Sequence, residues 1–187
     1  MTHTPSQRAS SWLSDFETAL STGDVDGATS AFAEDGFWRD LVAFTWNIRT
    51  QEGRPAIAAM LRDRLADTAP SHFALEGEAT EADGIVDAWF TFETKVARGR
   101  GHLRLKATPA GDQAWTFLTT MTELKGFEEK RGENRIKGAE HGSKKARKSW
   151  LELRREEEAK LGYEEQPYVV IIGGGQGGII LAARLKK

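Results

Sequence analysis

Six residues near the end of the chain have the types and spacing of a site that binds a pyrophosphate group. They are Gly173, Gly174, Gly175, Gln176, Gly177 and Gly178, which give the pattern G-x-G-x-x-G. In this motif the first glycine permits a tight turn, the second lets a pyrophosphate approach the backbone, and the third lets a helix pack closely on a strand. The free N–H groups and the positive end of that helix favour the phosphates. The pattern therefore predicts a cofactor-binding turn.

The segments on either side of the glycines favour the same interpretation. Residues 168–172 are apolar on both faces, as in a strand buried in a parallel sheet, and residues 179–185 form an apolar helical run. We therefore predict that residues 167–187 are the truncated start of a Rossmann domain that binds FAD or NAD(P). A glycine-rich loop without a ligand is the alternative, and a P-loop is disfavoured because no Gly-Lys-Ser/Thr follows. The acidic residue that would bind the ribose is expected roughly 20 residues further on, at a position past Lys187. We therefore expect this chain to be the N-terminal portion of a larger cofactor-binding protein.

Residues 8–125 alternate between helical and strand-like patterns, and these elements form the first predicted domain. Apolar residues four apart at Trp12, Phe16 and Leu20 predict a helix. Asp24 can cap a short second helix, and residues 53–55 start another. Four runs with period-two alternation follow, at 72–79, 85–96, 103–107 and 114–124. They predict an antiparallel sheet with one buried face and hence an α+β fold.

Local predictions within this domain are more specific. We expect a turn at 34–36. The predicted buried faces of the strands carry two sets of side chains: Val86, Ala88, Phe90, Phe92 and Val96, and then Trp115, Phe117 and Met121. A third set, with Leu103, Leu105 and Ala107, is expected to face the same way.

Residues 126–166 are strongly charged and poor in apolar side chains, which predicts a linker with a helix at about 144–161. The basic cluster at 144–148 could contact phosphate. Acidic residues are interleaved nearby and aromatic residues for base stacking are missing, so a solvated linker is favoured and no nucleic-acid partner is expected.

Three residues of the first domain could act as acids or bases: Asp40, His72 and His102. Each has a simpler interpretation, Asp40 as a surface or capping carboxylate and the histidines as polar residues at strand starts. Neither tyrosine of the chain lies in this domain, so a Tyr oxyanion donor is excluded, and no His/carboxylate spacing suggests a metal site. The aromatic residues Trp38, Phe44 and Trp46 could be core, a small-molecule pocket or a docking surface.

Composition limits the class of protein. The net charge of −2 disfavours nucleic acid or an acidic membrane surface as the main partner. The chain has no Cys, which excludes disulfides, thiolate metal sites and a Cys nucleophile. The polar N-terminus is not a secretory signal, so we expect a cytoplasmic protein. Residues 168–185 have the length of a short membrane span, but their five glycines disfavour that.

Several segments together resemble the N-terminal part of flavin-containing monooxygenase-like proteins. They are 37–41, 45–50, 123–126, 138–142 and the ending 168–185. In that family a nuclear-transport-factor-2-like cone, with helices on a curved sheet, precedes an FAD- and NAD(P)-binding domain. The resemblance implies that NAD(P)H reduces FAD and that the reduced flavin, with O₂, oxygenates a small organic substrate. Only Gly173, Gly175, Gly178 and their neighbours match the FAD-pyrophosphate turn.

Three functions therefore stay open at this point. The full protein is an FAD-dependent monooxygenase, of which this chain alone is expected to be inactive. It is another FAD- or NAD-linked oxidoreductase. Or the chain is a non-catalytic small-molecule-binding or dimerisation domain, with a homodimer expected through the N-terminal domain.

Overall fold

The computed structural model describes residues 3–134, 148–167 and 169–185. The segment 138–142 of the family resemblance, residues 144–147 of the predicted linker helix and Tyr168 lie outside these ranges. The chain divides into two compact units, Met1–Glu129 and Lys130–Lys187. Within the described ranges, no helix combines the length and apolar character that a membrane crossing requires.

In its described residues the first unit has three helices: α1 (Pro5–Thr22) and α2 (Val25–Ser30) open it, and α3 (Gly53–Thr68) follows two strands later. A capping box at Thr4 and a proline in the first turn start α1, and Gly23, with a φ of +73°, ends it. The predicted apolar face of α1 is buried, including Trp12, Phe16 and Leu20. The Asp24 carboxylate accepts a hydrogen bond from the backbone N–H of Gly27 at 2.8 Å and caps α2.

Six strands form one sheet: β1 (Phe32–Leu41), β2 (Ile48–Glu52), β3 (Ser71–Ala82), β4 (Ile85–Glu93), β5 (Ala97–Thr108) and β6 (Gly111–Leu124). Their order across the sheet is β2-β1-β6-β5-β4-β3. Helix α3 connects the two edge strands, β2 and β3. All pairs are antiparallel except β1 with β6, which is parallel. The prediction of a wholly antiparallel sheet is therefore wrong for this pair, and the sheet is mixed.

The turn predicted at 34–36 is also wrong, because these residues lie inside β1. The register of β1 on β6 shifts between Phe32 and Phe37, so the strand bulges there. At Gly36 an added Cβ would lie 2.9 Å from the carbonyl oxygens of Ala33 and Ala114. The glycine therefore permits a close backbone approach within a strand, a role that sequence alone does not separate from a turn.

Most predicted strand faces are confirmed, with three exceptions. Val86, Ala88, Phe90 and Phe92 are buried together, as are Leu103, Leu105 and Phe117. Val96 is exposed because it follows the end of β4, and Ala107 is exposed near the end of β5. Trp115 does not share the face of Phe117, since a register shift beside it between β5 and β6 moves its ring against the Arg104 guanidinium, 5.1 Å from the ring centroid.

The described residues of the second unit include two helices, α4 (Trp150–Lys160) and α5 (Gln176–Leu185), and a short 3-10 turn at Gly132–Asn134. Ser149 and Glu152 form a capping box that starts α4. Residues 169–172 belong to no strand, and Val170 and Ile172 are exposed. The buried strand predicted at 168–172 is thus not seen in its described part, because a strand apolar on both faces needs neighbouring strands to pair with.

Candidate functional site

The space between the helices and the sheet of the first unit is filled by aromatic rings. Nine rings form one connected cluster, with centroid separations from 4.8 to 6.1 Å. They belong to Trp12, Phe16, Phe32, Trp38, Phe44, Phe73, Phe90, Phe92 and Phe117. Of the three aromatic residues left open by the sequence, Trp38 and Phe44 are therefore core, whereas Trp46 is 59% exposed. These rings fill the space between the helices and the sheet, which could otherwise have formed a ligand pocket.

Two glycines of β5 make room for this filling. An added Cβ at Gly101 would lie 2.1 Å from Cζ of Phe90 and 2.4 Å from the carbonyl oxygen of Leu118. At Gly99 the corresponding atom would lie 2.3 Å from Cζ of Phe92. Because the two phenylalanines pair across the sheet with these glycines, their rings cover the bare backbone and close the interior from that side.

Asp40 is completely buried, and its two carboxylate oxygens accept hydrogen bonds from five donors. The donors are the backbone N–H groups of Ala43, Phe44 and Thr45 and the hydroxyls of Thr45 and Thr119, with the Thr119 hydroxyl 2.8 Å away. Trp38 Nε1 donates in turn to the Thr119 hydroxyl at 2.9 Å. Asp40 is therefore a capping carboxylate, as one sequence interpretation had it, but in the core rather than at the surface.

The loop that Asp40 holds, residues 42–47, carries backbone strain. Val42 has a φ of +60° and Trp46 a φ of +54°, both in the left-handed region. This conformation is unusual for a residue other than glycine, and most of all for β-branched Val42. The Asp40 hydrogen bonds compensate for it, so the role of the carboxylate is to fix the loop.

His72 and His102 lie apart from Asp40. The side chain of His102 is on the outer face of the sheet, between inward-facing Gly101 and Leu103, whereas Asp40 faces inward. His102 Nε2 lies 2.7 Å from an Asp87 carboxylate oxygen, and its ring packs on Trp89 at 4.6 Å. The side chains of His102 and Asp87 are 21% and 41% exposed on this face.

At the start of β3, the backbone N–H groups of His72 and Phe73 donate to the Glu17 carboxylate of α1 at 2.7 and 3.1 Å. The His72 ring contacts the hydroxyl of Ser71 at 2.9 Å. The three acid–base candidates therefore do not converge on one site. Across the described ranges, no group of three His, Asp or Glu side chains could hold a metal ion.

An open cleft of the first unit lies where the ends of α1 and α3 meet the start of α2. We call it the helix-end cleft. Its volume is about 700 Å³. Its apolar lining comes from Leu20, Val25, Leu61, Leu65, Ala66 and Pro70. Sequence analysis missed this cleft, although Gly23 and Pro70 mark the chain reversals that form it.

The polar groups of the cleft are few and mostly engaged. The hydroxyls of Ser21 and Thr22 donate to the carbonyl of Thr18 within α1 at 2.9 Å. Arg62 at the rim pairs with Asp26 at 3.1 Å, and both side chains are well exposed. A concave, mainly apolar surface with few polar groups is the usual form of a small-molecule site.

In the second unit, the glycine turn leads into α5, which begins at Gln176. Gly173 has a φ of +116°, a conformation that favours glycine. An added Cβ at Gly178 would lie 2.2 Å from the carbonyl oxygen of Gly173 and 3.3 Å from Cγ2 of Ile171. Gly178 thus approaches the backbone of Gly173 within the turn, and the packing of this helix on a strand stays a prediction. Added Cβ atoms at Gly174, Gly175 and Gly177 would meet open space.

Comparison with known proteins gives similarity of fold to solved structures. No protein-family model and no curated protein matches the chain. Among solved structures, a candidate aromatic ring hydroxylase from Novosphingobium aromaticivorans is 18% identical, with 66% of this chain and 95% of that chain covered and a TM-score of 0.51. A protein of unknown function from Mycobacterium tuberculosis is 13% identical, with 62% and 70% covered and a TM-score of 0.50.

An NTF2-like protein with a cystatin-like fold, also from N. aromaticivorans, is 20% identical, with 61% and 79% covered and a TM-score of 0.49. Identities this low concern the fold alone. The expected α+β class is confirmed for the first unit, whose helices pack on a mixed six-stranded sheet.

Proposed function

We propose that the first unit is a non-catalytic domain that binds a small apolar molecule in the helix-end cleft. The observation that carries the proposal is the contrast between a filled interior and an open cleft. Nine aromatic rings occupy the space between helices and sheet, whereas the cleft offers about 700 Å³ with an apolar lining. That volume lies in the range typical of small-molecule sites.

The arrangement of polar groups supports binding rather than catalysis. A general acid or base must reach the proton that it transfers. The Asp40 oxygens are fully engaged with donors of the protein itself, and the His102–Asp87 pair lies on the opposite face of the sheet from Asp40. The similarity to a candidate aromatic ring hydroxylase reaches no further than the shared fold. The homodimer expected through this unit stays a prediction.

The test uses N-phenyl-1-naphthylamine, an uncharged apolar fluorophore that brightens when it leaves water. Ala66 is an exposed residue of α3 that lines the cleft, so Ala66→Phe should fill it without disturbing the core. Ala59→Phe is the matched control, because Ala59 is also exposed on α3, two turns earlier and outside the cleft. We expect saturable binding to the wild type and to Ala59→Phe, and at least about tenfold weaker binding to Ala66→Phe. No saturable binding, or equal binding to all three proteins, would refute the proposal.

We propose a second function for the second unit, the binding of a dinucleotide pyrophosphate by residues 173–178. The close approach of Gly178 to the Gly173 carbonyl favours it, since that contact leaves room for glycine only. The open surroundings of Gly174, Gly175 and Gly177 and the N-terminus of α5 fit a phosphate ligand. FAD is the dinucleotide that the family resemblance implies.

This second proposal has its own experiment. Amide NMR signals of residues 173–178 should shift when ADP is added and stay unchanged with adenosine, which lacks the pyrophosphate. Gly175→Val should abolish the ADP shifts, because a branched side chain would occupy the space open to the phosphates. Equal responses to ADP and adenosine would show that the turn does not recognise pyrophosphate.

The family resemblance also implies a specific reaction, the oxygenation of a small organic substrate with FAD and NAD(P)H. Among the segments that carry the resemblance, the glycine turn is the one that bears on the cofactor. The turn supplies a place for the pyrophosphate, and we assign no residue of the first unit to the oxygenation chemistry. We expect this chain alone not to retain flavin, and stoichiometric FAD in the purified protein would overturn that expectation.

A further inference from the structure

We infer that the helix-end cleft selects an apolar amine over an apolar carboxylic acid, an inference that rests on the proposed binding function. The first reason is that the last turns of two helices line it. Leu20, Ser21 and Thr22 end α1, while Leu65 and Ala66 belong to the last turn of α3. A helix C-terminus carries about half a negative elementary charge and stabilises cations nearby. Neither α1 nor α3 has a basic side chain in its last turn that would compensate this partial negative charge.

Open carbonyl groups are the second reason. Within the described part of the chain, the carbonyls of Ser21 and Thr22 accept no hydrogen bond from backbone groups beyond α1. The carbonyl of Ala66 would normally accept a hydrogen bond from the backbone N–H four residues later. That residue is Pro70, which has no N–H. Three residues that line the cleft therefore carry carbonyl acceptors without the usual backbone partner. An ammonium group has three donors and no acceptor, so it suits such a lining.

The charged side chains around the cleft point the same way. The N-terminus of α2, which would favour an anion, is already capped by Asp24 and has Asp26 in its first turn. Arg62, the cation that lines the rim, is paired with Asp26. Of the two aspartates, Asp26 is neutralised by Arg62 and Asp24 is not. The net negative charge of these three side chains favours a cation.

The experiment measures displacement of N-phenyl-1-naphthylamine by three ligands of equal chain length: octylamine, 1-octanol and octanoate. We expect octylamine to displace the fluorophore at about three- to tenfold lower concentration than octanoate, with octanol between them. The measurement is made at 0.15 M and 0.5 M salt, because the preference should persist when long-range attraction to the protein is screened. Ala66→Phe should remove displacement by all three ligands.

A charge variant tests the cause of the preference. Ser21→Lys adds a cation to the last turn of α1 and should weaken octylamine several-fold relative to octanol. Ser21→Gln, which is similar in length but uncharged, should leave the ratio of the two affinities as in the wild type. Equal potency of the three ligands would overturn the inference alone. Absence of fluorophore binding, or binding that Ala66→Phe leaves intact, would instead remove the proposed function on which the inference rests.

Discussion

Asp40→Asn tests whether this carboxylate is a structural cap. Asparagine keeps the shape but replaces one acceptor oxygen by an NH₂ donor. Three partners of Asp40 are backbone N–H groups, which cannot become acceptors. In either orientation of the amide, at least one backbone donor and one hydroxyl lose their acceptor. At about 1–3 kcal/mol for each buried group left unsatisfied, we expect the free energy of unfolding to fall by about 2–6 kcal/mol.

Urea unfolding followed by tryptophan fluorescence measures this loss, since five of the six tryptophans lie in the first unit. Asp24→Asn is the matched control. It makes the same chemical change at an exposed helix cap where Asn serves as well as Asp, so its effect should stay within about 0.5 kcal/mol. If Asp40→Asn is as mild as the control, the capping role assigned to Asp40 is wrong.

Two further predictions concern packing and pH. Gly101→Ala should destabilise the first unit by about 1–3 kcal/mol, and by more than Gly99→Ala, because the new Cβ at Gly101 meets a backbone oxygen as well as a ring; equal losses in urea unfolding would contradict this. The hydrogen bond from Lys125 at 2.8 Å holds the pKa of Glu93 below its usual 4.5. Because the folded-state pKa is lowered, this contribution to stability is present above pH 4.5 and is lost as the pH falls through the folded value. Glu93→Gln should therefore reduce the loss of thermal stability between pH 6 and pH 3, and an unchanged pH profile would show that the pair contributes nothing.

Local patterns predicted the elements well where one face meets the core. The alternation from Val86 to Phe92 identifies the buried side of β4, and the four-residue spacing of α1 identifies its apolar face. Such patterns repeat within a few residues and need no knowledge of distant partners. The parallel pairing of β1 with β6 joins segments about eighty residues apart, so nothing in either strand alone revealed it.

The functional residues were harder to predict. The polar environment of Asp40 depends on Thr119, which comes from another strand, and the helix-end cleft is built from the ends of separate helices. The glycine spacing at 173–178 could be recognised because all its members are adjacent, and Gly178 approaches the Gly173 carbonyl within the turn. Its role in binding a cofactor stays a prediction. The strand expected before it was not formed in its described part, since strand pairing depends on partners outside the motif.

The most direct test of the account is a map of where an apolar ligand contacts the first unit. Amide NMR signals of ¹⁵N-labelled protein, recorded during titration with octylamine, should shift at residues 20–25 and 61–69 and leave Asp40, Phe44 and Phe117 unchanged. That result would place the ligand at the helix ends, outside the aromatic interior. Shifts centred on the three core residues would show that the interior opens for ligands and would contradict the account.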